Sequence, residues 1–283
     1  ALRHLLPAGT KVVLPTPNYM PFLPLLRMLG HEAVQVPMLE TGDGWEFDFD
    51  ALDAAFADGA GLAILCNPHN PLGRVFTRAE LGRFSEVAER HGVRVFCDEI
   101  HAPLVFSPHR HVPYASLGEA AARQAITATS ASKGWNLAGF KCAQLILTND
   151  DDLAEWRRMH PLAGHATSTP GVIANTAAYR HGGAWLDSVM GYLQGNRDLL
   201  AATLAERMPD VGYRVPEGTY LAWLDCRALK LDAPAKLMFR KAGVALTDGA
   251  ECGDAGAGFV RFNFALPRPI LREALDRMAN ALP

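Results

Sequence analysis

The chain has 283 residues, 49% of them hydrophobic, and a formal net charge of −3, which is ample apolar material for one large domain or two ordinary ones. So small a net charge carries no polyelectrolyte signal, so neither nucleic acid nor an anionic membrane surface is an expected partner. No apolar run reaches the length of a bilayer span, and the opening Ala1-Leu-Arg-His-Leu-Leu-Pro has neither the basic region nor the cleavage site of a secretory leader; a cytoplasmic location is expected.

Along the chain, short apolar runs alternate with amphipathic stretches. Residues 11–15 (KVVLP) predict a strand, 22–29 a helix ending at Gly30, 32–36 a strand and 50–57 a short helix. Residues 61–66 (GLAILC) read as a buried strand followed by a Pro-rich turn. Thr77 then opens a helix over 78–91 with T-R-A-E, a capping-box pattern. Residues 93–98 (VRVFCD), 125–130 (AITATS) and 145–148 complete the strand series. Continuous apolar strands between helices indicate α/β architecture, with a mostly parallel sheet covered on both faces. Residues 170–207 form one long helical stretch, and 213–225 have strand character; helix, strand and helix follow. The expected division is a large domain over 1–168, then a linking helix and a smaller α+β domain over 169–283.

The five cysteines, at 66, 97, 142, 226 and 252, include no C-x-x-C pair, which argues against a disulfide framework or a zinc site. Cys66, Cys97 and Cys142 sit in apolar runs and read as small buried hydrophobes. The ten histidines show no ligand spacing, so no metal is expected.

Four stretches carry chemistry, each after a predicted strand: Asn67-Pro-His-Asn-Pro-Leu-Gly-Arg74, Asp98-Glu-Ile-His101, Ser130-Ala-Ser-Lys-Gly-Trp-Asn136 and Val260-Arg-Phe-Asn-Phe-Ala265. Any one alone is weak: the first is a good turn sequence, and Asp-Glu after a strand suits a helix cap as well as a site. In this order they resemble the aminotransferase class I/II superfamily of pyridoxal 5′-phosphate (PLP) enzymes, fold type I, over nearly the whole chain. In that superfamily a lysine holds the cofactor covalently, and the cofactor acts as an electron sink for a carbanion at the substrate Cα.

The resemblance puts that lysine at Lys133 and the anion beside the pyridine nitrogen at Asp98. An Asp ending a buried strand also needs a partner on its own account. By the same resemblance Asn70 serves the phenolic oxygen, with His101 where many relatives have a tyrosine for that atom. Ser130 and Lys141 stand where the family binds phosphate; many relatives have arginine at the second position, and lysine keeps the charge without the bidentate fork. Tyr19 matches the aromatic residue that stacks on the pyridine ring. Arg261 matches the arginine that grips an α-carboxylate, which implies an α-amino acid substrate. A homodimer with shared active sites is implied as well. The family's N-terminal arm, part of its small domain and its glycine-rich phosphate loop would precede Ala1.

Within the superfamily the chain is most similar to MalY/PatB-type cystathionine β-lyases. The pointers are Asp98-Glu-Ile-His101, His109-Arg-His-Val-Pro-Tyr-Ala-Ser-Leu117, Trp45-Glu-Phe-Asp-Phe-Asp50 and Ser132-Lys-Gly-Trp-Asn-Leu-Ala-Gly139. The stretch 109–117 also reads as a surface loop with no catalytic part. The implied activity is carbon–sulfur β-elimination from L-cystathionine or a related cysteine S-conjugate, giving pyruvate, ammonia and a thiol. An aminotransferase, and a non-catalytic effector-sensing module of a regulator, remain alternatives.

Overall fold

Strand β1 (Lys11–Thr16) completely buries Val12, Val13 and Leu14, and β5 (Ala60–Cys66) does the same with Leu62, Ala63 and Ile64. Strands without a wet face require helices over both sides of their sheet. The computed structural model, which describes residues 1–42, 44–160, 165 and 167–282, has that arrangement. From β1 the chain passes through α1 (Phe22–Met28), β2 (Glu32–Pro37), a hairpin of β3 (Leu39–Thr41) and β4 (Gly44–Glu46), and α2 (Phe49–Ala57) to β5. It continues through α3 (Arg78–Arg90), β6 (Arg94–Asp98), α4 (Glu119–Gln124) and β7 (Ala125–Thr129) to β8 (Gln144–Leu147).

The sheet order is β2-β1-β5-β6-β7-β8. Neighbours run parallel except β8, which pairs antiparallel with β7. Alternation along β1 sends Val12 and Leu14 to one face, with Leu26, Leu62 and Ile126, and Val13 to the other, with Phe76, Phe84 and Val95. The capping box at Thr77 forms, with the Thr77 side chain accepting from Glu80 N and the Glu80 side chain from Thr77 N.

Beyond α5 (Asp150–Arg158), the helical stretch expected over 170–207 is two helices, α6 (Thr169–His181) and α7 (Gly183–Arg207). The break falls where Trp135 Nε1 donates to the Gly182 carbonyl at 2.9 Å. A Cβ at Gly182 would lie 2.3 Å from that indole nitrogen, so only glycine lets the ring approach.

The remaining elements are β9 (Gly212–Tyr213), β10 (Leu221–Asp225), α8 (Pro234–Leu237), β11 (Thr247–Asp248), β12 (Phe259–Asn263) and α9 (Arg268–Ala281). They build an antiparallel sheet in the order β11-β12-β10-β9. Its core joins Leu200 and Leu204 of α7 to Leu224, Phe262, Leu271 and Leu275.

The strand character read over 213–225 is interrupted, because residues 214–220 leave this sheet and dock on the loops that follow β5 and β6. The amides of Glu217 and Gly218 both donate to the Gly73 carbonyl at 2.9 Å, and Thr219 N donates to Leu104 O at 2.7 Å. Arg74 Nη1 pairs with Glu217 Oε1 at 2.9 Å. Gly73 has φ +70°, and a Cβ there would fall 2.4 Å from Pro216 Cβ. Among the described residues, no helix is long and apolar enough to cross a membrane.

Candidate active site

Parallel strands deliver their carboxyl ends to one edge of the sheet, and the residues just past those ends share a crevice. Tyr19 follows β1, Asn70 follows β5, Asp98 ends β6 with His101 three residues on, and Ser130 follows β7 and leads to Lys133. All six line one cavity of about 450 Å³, together with Lys141, which lies just before β8. A second cavity of about 540 Å³ lies against α7 at Trp185, Val189 and Tyr192 and meets the first at Ser132, Lys133 and Ala138. Lys133 therefore stands between two open spaces.

Arg261 lies on β12, in register with Trp223 on one side and Thr247 on the other. Its Nη1 donates to Asn70 Oδ1 at 2.9 Å and its Nη2 to Thr247 Oγ1 at 3.1 Å. A guanidinium has only donors, so this contact fixes the Asn70 amide with its oxygen toward Arg261 and leaves Nδ2 free to donate. The second sheet thus reaches the site through a side chain 191 residues along the chain from Asn70.

Asp98 Oδ1 accepts one hydrogen bond, from the Ile100 amide at 3.2 Å, and makes no ion pair among the described residues. Burial pushes its carboxyl up to about 6, against the Ile100 hydrogen bond and the charge of Lys133, which pull the other way. His101 is pushed down to about 3 by burial and by the charges of Lys133 and Arg261, so its ring is neutral. Its Nδ1 has no hydrogen-bond partner among the described residues. Tyr220 packs edge-on against that ring with centroids 5.5 Å apart.

At the other end of the cavity, Ser130 Oγ donates to the Cys142 carbonyl at 2.6 Å, lies 2.6 Å from Ser132 Oγ, and accepts from Ser132 N at 3.0 Å. Ser130 is therefore already engaged with the protein, while Ser132 adds a second hydroxyl to the same wall. Lys141 adopts the left-handed conformation, φ 52°, at the turn into β8. Tyr19 meets Phe22 edge-on at 5.6 Å, and the backbone beside it is tied to the second half of the chain by Asn18 N donating to Cys252 O at 2.7 Å.

Seven of the eight residues singled out from the sequence, all but Arg261, share this cavity wall, and Arg261 is bonded to one of them. Thr247, Tyr220 and Ser132 were not singled out. Ser132 lies next to Lys133 in Ser130-Ala-Ser-Lys-Gly-Trp-Asn136, a local signal for its place. Thr247 and Tyr220 lie in unremarkable stretches whose place depends on long-range packing.

The sequence profile of aminotransferase class I and II matches residues 1–278. The chain belongs to that family. It is 38% identical to the cystathionine β-lyase of Corynebacterium glutamicum, over 100% of this chain and 74% of that protein. It is 35% identical to the cystathionine β-lyase PatB of Bacillus subtilis, over 97% of this chain and 72% of that one. The fold superposes with a TM-score of 0.93 on a PLP-bound C–S lyase from Staphylococcus hominis, at 29% identity over 100% of this chain and 70% of that chain.

Proposed function

We propose that this chain holds pyridoxal 5′-phosphate on Lys133 and acts as a carbon–sulfur β-lyase on L-cystathionine or related cysteine S-conjugates. The observation that carries the cofactor reading is Asp98: a carboxylate on a cavity wall, with one backbone donor and no ion-pair partner among the described residues. Such a group fits a cationic ring nitrogen, and the same cavity has an amide donor in Asn70, an unpartnered imidazole nitrogen in His101 and an amine in Lys133. The choice of β-elimination follows the likeness to the two cystathionine β-lyases.

When bound, the cofactor supplies an electron-withdrawing ring that spreads the negative charge left at a substrate α-carbon. Asp98 keeps the ring nitrogen protonated, since an ionised carboxylate stabilises a cation beside it. Asn70, its oxygen held by Arg261, donates through Nδ2 to the phenolic oxygen, with neutral His101 as a second group for that atom. Lys141 would bind the phosphate, joined by Ser130 once its hydroxyl turns from the Cys142 carbonyl, and Tyr19 would cover a ring face. Arg261 orients the substrate by its α-carboxylate. The Lys133 amine, on the cavity wall, would take the α-proton. The overall reaction would cleave the Cβ–S bond, with the electron pair and a proton leaving on sulfur as the thiol and one water consumed in giving pyruvate and ammonia.

The same reading divides the chain into a large domain over 1–168 and a linking helix with small domain over 169–283. The five cysteines, all free and buried, suit a reducing, cytoplasmic compartment. A homodimer fits the apolar surface of Val172, Ile173 and Tyr179 on α6, beside exposed Phe140. Sedimentation should give a dimer, and a fully active monomer would contradict that assembly. The function itself is tested by incubating the cofactor-loaded protein with L-cystathionine and no keto acid. Pyruvate and thiol should appear together. Steady turnover of an amino acid and keto acid pair, with no thiol from a panel of cysteine conjugates, would replace the lyase with an aminotransferase.

A further inference from the structure

Asn70 sits on the excursion that follows β5, and Asp98 is the last residue of β6, where the next excursion begins. Something must hold those two positions at a fixed separation if the two side chains are to serve two different atoms of one bound ring. The backbone does part of this, through Asn67 N donating to Asp98 O at 3.0 Å. The rest is side-chain work on the side of β6 away from the cavity, in the stretch 109–117.

Glu99 is buried, and both its oxygens are engaged: Oε1 accepts from Tyr114 N at 2.8 Å and Oε2 lies 3.3 Å from His111 Nε2. The other ring nitrogen, Nδ1, is 3.5 Å from Asn67 Nδ2. Asn67 Oδ1 is taken by the Phe76 amide at 3.1 Å, so its nitrogen is the group turned to His111. An amide nitrogen only donates, so His111 Nδ1 accepts and Nε2 carries the proton toward Glu99. Asn67, Asp98, Glu99 and His111 thus close a ring of contacts that joins the two excursions from behind.

We propose that His111 is a positioning residue which, through Glu99 and Asn67, sets the spacing between the Asp98 and Asn70 contacts to the cofactor. It touches neither cofactor nor substrate. The inference rests on the cofactor-binding reading of those two residues and adds what fixes their separation.

The test is a double-mutant cycle on cofactor affinity, read by titrating the visible absorption of the full chain with pyridoxal phosphate. Uptake by the wild type supports the parent reading and sets the reference. His111→Leu should then weaken affinity about tenfold, the scale of one lost hydrogen bond to a charged group, and shift the absorption maximum. His111→Gln, which keeps a donor and an acceptor on one side chain, should recover affinity to within about threefold. In an Asn70→Ala background the cost of His111→Leu should fall below about twofold, because the contact it positions is gone. Should His111→Leu not fold, Glu99→Gln, which keeps its acceptor for Tyr114, takes its place in the cycle with the same expected non-additivity. Additive costs in either cycle, or wild-type affinity and spectrum in His111→Leu, would overturn the inference while leaving the cofactor site itself standing.

Discussion

On the cavity side of the end of β6, the Asp98 carboxyl accepts one hydrogen bond among the described residues and is pushed up to about 6 by burial. On the other side, the next residue, Glu99, has both oxygens engaged by His111 and the Tyr114 amide. Two carboxylates one residue apart therefore receive opposite treatment. A buried acid that serves only the fold is satisfied by the fold, because an unmet charge in a low dielectric is costly. An acid left unmet on a cavity wall marks the place where a ligand completes the structure.

The comparison breaks most visibly at Asp98. Asp98→Ala should lower turnover by roughly a thousandfold or more, on the scale of losing a group that stabilises developing charge, while covalent attachment at Lys133 stays possible. Asp98→Glu should retain more activity than Asp98→Ala. Equal steady-state rates for wild type and Asp98→Ala would mean that the unmet carboxylate has no catalytic partner.

A smaller effect sharpens the contrast in the cofactor-free protein. A carboxyl raised from 3.8 to about 6 on folding binds more protons folded than unfolded between those values. Stability should fall as pH rises through that window, by roughly 3 kcal/mol, and stay lower above it. Asp98→Asn should remove this loss and be the more stable protein near neutrality, as read by urea melts at several pH values. Glu99→Ala should do the reverse and cost about 1–3 kcal/mol, since it strands the Tyr114 amide. A stabilising Glu99→Ala, or a pH-independent wild type, would remove the distinction between the two sides.

Much of this site was legible in the chain itself, and the reason is local. The strands of the first sheet are continuous apolar runs, so GLAILC and VRVFCD announce both themselves and the polar residues at their ends. The capping box at Thr77 is likewise a pattern within four residues. What stayed hidden depends on distant pairs. Nothing near Thr247 signals that it shares Arg261 with Asn70. Nothing in residues 214–220 shows that they leave one sheet for Gly73 and Arg74 in the loop after β5. The helix break at Gly182 follows from an indole 47 residues earlier in the chain. The short hairpin β3–β4 has too few residues for periodicity to register.

The placement of the cofactor on Lys133, between the two cavities, is tested most directly by reduction and mapping. The cofactor-loaded protein is treated with borohydride to fix the cofactor on its lysine, digested, and the labelled peptide identified by mass. The label should fall on Lys133, in the segment Ser130-Ala-Ser-Lys-Gly-Trp-Asn136. A label on any other lysine would contradict the account, because among the described residues Lys133 is the lysine that shares a cavity wall with Asp98, Asn70 and His101 and also faces the second cavity.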